Sequence, residues 1–131
     1  MEILAALFID AIDVRSVEGP ATRLDLTGVQ FSAAAPGPAP VTVEPHLCLI
    51  VHCPAGARDT AALEVTFRRA DDPDTVIARN VQPLQVEPGK FNYRLVRAEL
   101  TFDEFGTIEA HCRVDMGPVT VVPYTLLPPV P

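Results

Sequence analysis

One lysine, two serines and three cysteines set the first limits on this chain. Neither Ser16 nor Ser32 lies in the G-x-S-x-G setting that exposes a hydrolase nucleophile. Lys90 falls in a Pro-Gly turn, where a desolvated catalytic amine is not expected. An odd number of cysteines without a C-x-x-C pair argues against a disulfide framework and for a reducing compartment. The sequence has no phosphate-binding glycine loop, no H-E-x-x-H and no dinucleotide fingerprint. Fourteen prolines among 131 residues leave few gaps for a long helix. The apolar run ILAALFI spans seven residues after Glu2. It lacks the basic start of a secretory signal and is far shorter than a membrane span, so the expected location is cytoplasmic.

What remains is ordinary globular material. Apolar residues make up 48% and charged residues 21% of a 14.1 kDa chain, which predicts a single domain, 1–131, burying roughly two-thirds of its unfolded surface. Such a core needs neither disulfide nor metal. A net charge of −7 and a pI of 4.8 repel phosphate backbones and anionic bilayers, so neither nucleic acid nor membrane is an expected partner.

The segments between the prolines alternate with a period of two, which is the strand signal. Over 107–116, Ile108, Ala110, Cys112, Val114 and Met116 fall on one face, with Thr107, Glu109, His111, Arg113 and Asp115 on the other. Over 62–69, Leu63, Val65 and Phe67 oppose Glu64, Thr66 and Arg68, and over 92–102 the inward set is Val96, Ala98, Leu100 and Phe102. In 23–31 the apolar set slips from Leu24 and Leu26 to Val29 and Phe31, and Gly28 at the slip predicts a β-bulge. Further strands are expected at 2–9, 43–53, 76–86 and 119–126. The first is apolar on both faces, and periodicity does not separate a central strand from a short buried helix. Pro83 and Pro123 point to edge strands.

Turn chemistry divides these runs. Asp71-Asp72-Pro73-Asp74-Thr75 predicts a type I turn with Pro73 second, Glu87-Pro88-Gly89-Lys90 a type II turn, and Met116-Gly117-Pro118 a hairpin tip. Residues 32–40, SAAAPGPAP, read as an extended surface loop. Thr101 and Glu104 have capping-box spacing, so 101–105 is a candidate single helical turn. The fold class is therefore all-β: a single antiparallel β-sandwich of about eight strands, Greek-key, immunoglobulin-like or C2-like.

The chemistry-bearing residues crowd into one stretch. His46, Cys48, His52 and Cys53 lie within eight residues, and His111-Cys112 repeats the juxtaposition. In a strand, neighbours point to opposite faces, so neither His52-Cys53 nor His111-Cys112 forms a catalytic pair. Cys53 and Cys112 belong to core faces, where burial raises a thiol's pKa and makes it inert. His46, Cys48 and His52 share the other face. His46 and Cys48 are spaced to ligate one ion, but His52 lies roughly 20 Å along the strand from His46 at about 3.3 Å per residue. A zinc site needs three or four ligands, so His111 would have to come from a paired strand. The acidic turn of Asp71, Asp72 and Asp74, with Asp103 and Glu104 from a second loop, is the other metal candidate, for Ca²⁺. Turn preference alone explains those aspartates. No catalytic residue, metal ligand or cofactor is assigned.

The face with His46, Cys48, Ile50 and His52 is too apolar for open solvent. It predicts a cover: the 32–40 loop, another strand or a second subunit. The apolar tail 127–131 can pack along an edge or on a partner. These features favour a homodimer.

The segments MEILAALFIDAIDV, LEVTFRRADDPDTVIAR and LTFDEFGTIEAHCRVD, followed by VVPYTLL, resemble a family of small bacterial proteins common in actinobacteria. The shared features are an apolar first strand ending in Asp10, a strand-turn-strand with an acidic tip, a strand start at Gly106-Thr107-Ile108 and Pro123 near the last strand. Ile108 stands where an aromatic is usual, and the proline loop is long. The resemblance implies an all-β sandwich and transfers no catalytic residue. The expected function is a non-enzymatic interaction or scaffold module acting through a sheet face or edge. The alternative is a metal-binding domain, with Ca²⁺ at 71–74 or a transition metal at His46 and Cys48.

Overall fold

The computed structural model describes residues 1–18 and 22–131. These contain twelve strands and no helix. In chain order they are β1 (Glu2–Ile9), β2 (Ala11–Ser16), β3 (Thr22–Thr27), β4 (Ser32–Ala34), β5 (Val41–Val43), β6 (His46–His52), β7 (Thr60–Arg69), β8 (Asp72–Gln85), β9 (Phe91–Arg97), β10 (Leu100–Phe102), β11 (Gly106–Val114) and β12 (Thr120–Leu127). They pair as β1-β6-β9, β4-β12-β11-β7-β8, β5-β10 and β2-β3.

The count exceeds the expected eight for physical reasons. The 43–53 segment divides at Pro45, which has no N–H to give a ladder. Its partner 92–102 divides opposite. The pairing keeps its register across the break, with His46 facing Arg97 and then Val43 facing Leu100. β2 is additional. Its Ile12 and Val14 alternate with Asp13 and Arg15, a signal present in the sequence. β4 occupies the start of the expected 32–40 loop and pairs in parallel with β12, so the chain is not purely antiparallel.

Gly28 has φ 68°, as a special backbone position there requires, but no residue is inserted. Ala11 faces Thr27 and Phe8 faces Gln30. The expected bulge is therefore a bend in a continuous register. The ladder ends at Thr27 and the chain then touches β1 only through the Phe8–Gln30 bridge, with Val29 and Phe31 on either side of it exposed instead of inward.

Two other expectations change. The turn after β7 is Ala70-Asp71, and Pro73 falls within β8, an edge strand that tolerates a missing N–H. Residues 101–105 form no helical turn: Thr101 is in β10, and its hydroxyl meets the Thr42 hydroxyl at 3.0 Å across the ladder. The type II turn holds, with Gly89 at φ 80° and the Lys90 N–H donating to the Glu87 carbonyl at 3.0 Å. Met116 is 84% exposed in the tip after β11 rather than on its core face.

The two larger sheets share one hydrophobic cluster. Phe8, Leu47, Leu49, Val51 and Val96 come from one side, and Leu63, Val65, Phe67, Ile108, Ala110, Cys112, Val122, Tyr124 and Leu126 from the other. The Phe8 and Tyr124 rings meet at 5.0 Å and 52°, a tilted contact that contributes about 0.5–1.5 kcal/mol beyond area burial.

Candidate interaction site

Strand β6 answers the question raised by its histidines and cysteines. Leu47, Leu49, Val51 and, just past its end, Cys53 are fully buried in the shared core. The Cys53 thiol donates to the Arg58 carbonyl at 3.5 Å. Cys112 is buried with them, and desolvation pushes its pKa up to about 12. His46, Cys48, Ile50 and His52 face outward, opposite Arg97, Leu95, Tyr93 and Phe91 of β9. His52 is held at 3.0 Å from Glu2 and stacks on Phe91 at 4.8 Å. His111 lies on the other sheet, because β11 pairs with β7 and β12. It contacts Glu109 at 3.4 Å and brings no third ligand to His46 and Cys48. Among the described residues no three His, Cys, Asp or Glu side chains converge.

The outward face is nonetheless covered. Cys48 is 1% exposed and Ile9 2%, yet neither joins the main core cluster. Burial raises the Cys48 pKa. The β2-β3 hairpin stands beside this face. Val14 and Leu24 of that hairpin line one cleft together with Ile50, Phe91 and Tyr93. The hairpin is aimed there by the corner at Asp10, whose N–H donates to the carbonyls of Thr27 at 2.9 Å and Gly28 at 3.1 Å.

This cleft has a volume of about 770 Å³. Beyond the hairpin it is lined by Gln85 and Val86 at the end of β8, and by Arg94. It therefore follows the free edge of β9, which among the described residues pairs only with β6. Phe91 is 62% exposed and Leu95 43%. Both lie on the outward face with Tyr93, while Asn92, Arg94 and Val96 face the other way. The charges at the cleft differ in how they are satisfied. Lys90 holds Glu87 at 2.6 Å and keeps that carboxyl below its usual pKa. Arg94 donates to the Tyr93 carbonyl at 2.9 Å and pairs with no carboxylate among the described residues. Sequence reasoning read only the inward half of this strand. The alternation Phe91, Tyr93, Leu95 was the available signal for the outward half.

The acidic turn has a different environment. Asp71 and Glu104 border a smaller depression of about 310 Å³. The Arg69 guanidinium lies 3.7 Å from Asp71, and Asp72 accepts from the Thr75 hydroxyl at 2.5 Å. Asp74 and Asp103 do not line that depression. On the outward face of the larger sheet, Glu64 bridges Arg79 at 2.6 Å and Arg113 at 3.1 Å. These contacts, the Arg79 hydrogen bond above all, lower the Glu64 pKa.

Comparison with protein-family models finds no match, and none of the curated proteins matches the chain. Among the described residues, no helix is long and apolar enough to cross a membrane.

Proposed function

We propose that the chain is a non-enzymatic, cytoplasmic interaction module that docks a protein chain, a second copy included, along the free edge of β9 and the cleft beside it. The observation that carries this reading is β9 itself. It is paired on one side only, and it exposes Phe91 and Leu95 next to a cleft walled by the hairpin and the end of β8. An edge strand offers N–H and C=O groups to an added strand, and alternate side-chain pockets give that addition its selectivity. At Tyr93 those groups are held by neighbouring side chains, the N–H donating to Asn92 Oδ1 at 2.8 Å and the carbonyl accepting from Arg94 at 2.9 Å, so Asn92 and Arg94 turn aside when a strand adds. The polar groups at the cleft are an ion pair, a guanidinium, side-chain amides and the Tyr93 phenol, which suit binding.

The reading takes the fold as one β-sandwich, Greek-key and immunoglobulin-like or C2-like, with the β2-β3 hairpin as an added flap. The unbroken register between β6-β9 and β5-β10 supports treating those two ladders as one. Kinship with the small bacterial proteins that the chain resembles is part of the same proposal.

A photo-crosslinking residue in place of Phe91, compared with one in place of Glu109 on the opposite face, tests the reading in cells. A discrete protein adduct is expected from position 91 alone, and Leu95→Asp is expected to abolish it. Equal adducts from both positions, or none from position 91, contradict the reading.

A further inference from the structure

The charge pattern of β9 selects among the chains that can add to it. Lys90 and Arg97 are answered within the molecule, by Glu87 at 2.6 Å and Glu44 at 3.0 Å. Arg94 is not, and it stands at the centre of Phe91–Arg97. Pairing β9 with β9 of a second copy in the centred antiparallel register would set Arg94 directly opposite its own equivalent. Like charges directly opposite across a ladder are destabilising.

An incoming strand of different composition meets complementary surfaces on both its faces. Its outward side chains meet Phe91, Tyr93 and Leu95, and at the cleft Val14 and Leu24 wall the same side. Its inward side chains meet Asn92 and Arg94, beside Gln85. Alternation in a strand then requires apolar residues two apart with an acidic residue between them.

We infer that β9 receives an extended segment of another protein with alternating apolar and acidic residues, added as a fourth strand to β1-β6-β9, with a carboxylate on Arg94. This rests on the interaction reading above and narrows it to one chemistry. The pair lies at a half-covered edge. Its loss is expected to weaken binding about tenfold, between the values for exposed and for buried pairs.

The test is binding of the intact protein to capped synthetic peptides in which valine alternates with glutamate, serine or lysine. The glutamate peptide is expected to bind tightest. Arg94→Gln is expected to weaken it about tenfold, and Arg94→Glu to shift preference to the lysine peptide. Unchanged thermal melting of both variants separates this from misfolding. Equal binding of all three peptides, or of none, overturns the acidic-partner inference. Sedimentation of the protein alone distinguishes the two levels of the argument. Self-association that Phe91→Asp abolishes would sink the inference and leave the interaction reading standing. A monomer that binds no peptide, with no adduct from position 91, sinks both.

Discussion

The Asp10 carboxylate occupies the space that a side chain at Gly28 would need. A Cβ built on Gly28 overlaps that carboxylate, and the other carboxylate oxygen accepts from Gln30 Nε2 at 2.9 Å. Together the two residues make the corner that turns β1 into β2 and sets the hairpin beside the outward face of β6 and β9.

Gly28→Ala is therefore expected to destabilise the protein on two counts. A left-handed backbone costs a non-glycine residue about 1–2 kcal/mol, and the methyl collides with Asp10. Urea unfolding of Gly28→Ala, Asp10→Ala and the double variant separates the two. Asp10→Ala should recover the carboxylate's part of the collision, its retained Cβ still lying 2.8 Å from the new methyl, and leave the backbone cost. Strict additivity would show that the contact carries no energy.

Much of this arrangement was legible in the sequence. The inward residues of β7 and β11 follow from alternation alone, and so does the separation of His52 from Cys53 and of His111 from Cys112. That the outward face of β6 needs a cover also followed from its composition. The nearness of the β2-β3 hairpin to that face did not, because β2 is short and its position depends on the bend at Asp10. The breaks at Pro45 and in 92–102 were missed because an apolar alternation continues through them in one register. The free edge of β9 was not legible, because periodicity reports which way a side chain points and not which strands lie beside it.

The lowered pKa of Glu64 has a definite sign. A carboxyl whose folded pKa lies below its unfolded value of about 4.3 adds stability above that pH and loses it as pH falls through the folded pKa. Glu64→Gln should therefore cost stability at neutral pH and little in acid, with the difference closing below about pH 4. Urea midpoints of the two proteins across that range check it. A gap that stays constant with pH would contradict the ion-pair account.

Cys112 gives the opposite slope at high pH. Its folded pKa is pushed up to about 12, whereas an unfolded thiol ionises near 8.5. Stability is intact below the unfolded value and declines as pH rises toward the folded one, by up to about 1.4 kcal/mol per unit from this group. Cys112→Ala should lower stability overall and flatten that decline, as melting scans between neutral and alkaline pH would show.

The three thiols should also differ in how they become reactive. Cys53 and Cys112 sit in the main cluster, so their alkylation requires global unfolding. Cys48 is buried outside that cluster, on the face beside the hairpin, and local opening is expected to suffice. Mass-resolved alkylation under native conditions should label Cys48 first, and Leu24→Asp should speed Cys48 alone. Equal rates at all three would mean the hairpin is not a separate cover.

The account stands or falls on the edge of β9. Residue-resolved amide hydrogen exchange measures it directly, because every second N–H of that strand points away from β6. The prediction is fast exchange at those alternate amides between Phe91 and Arg97 in the free protein, Tyr93 excepted because its N–H is held by Asn92 Oδ1 at 2.8 Å, and slowing on adding the valine-glutamate peptide. Alternate amides already protected in the isolated monomer, or unmoved at saturating peptide, would contradict it.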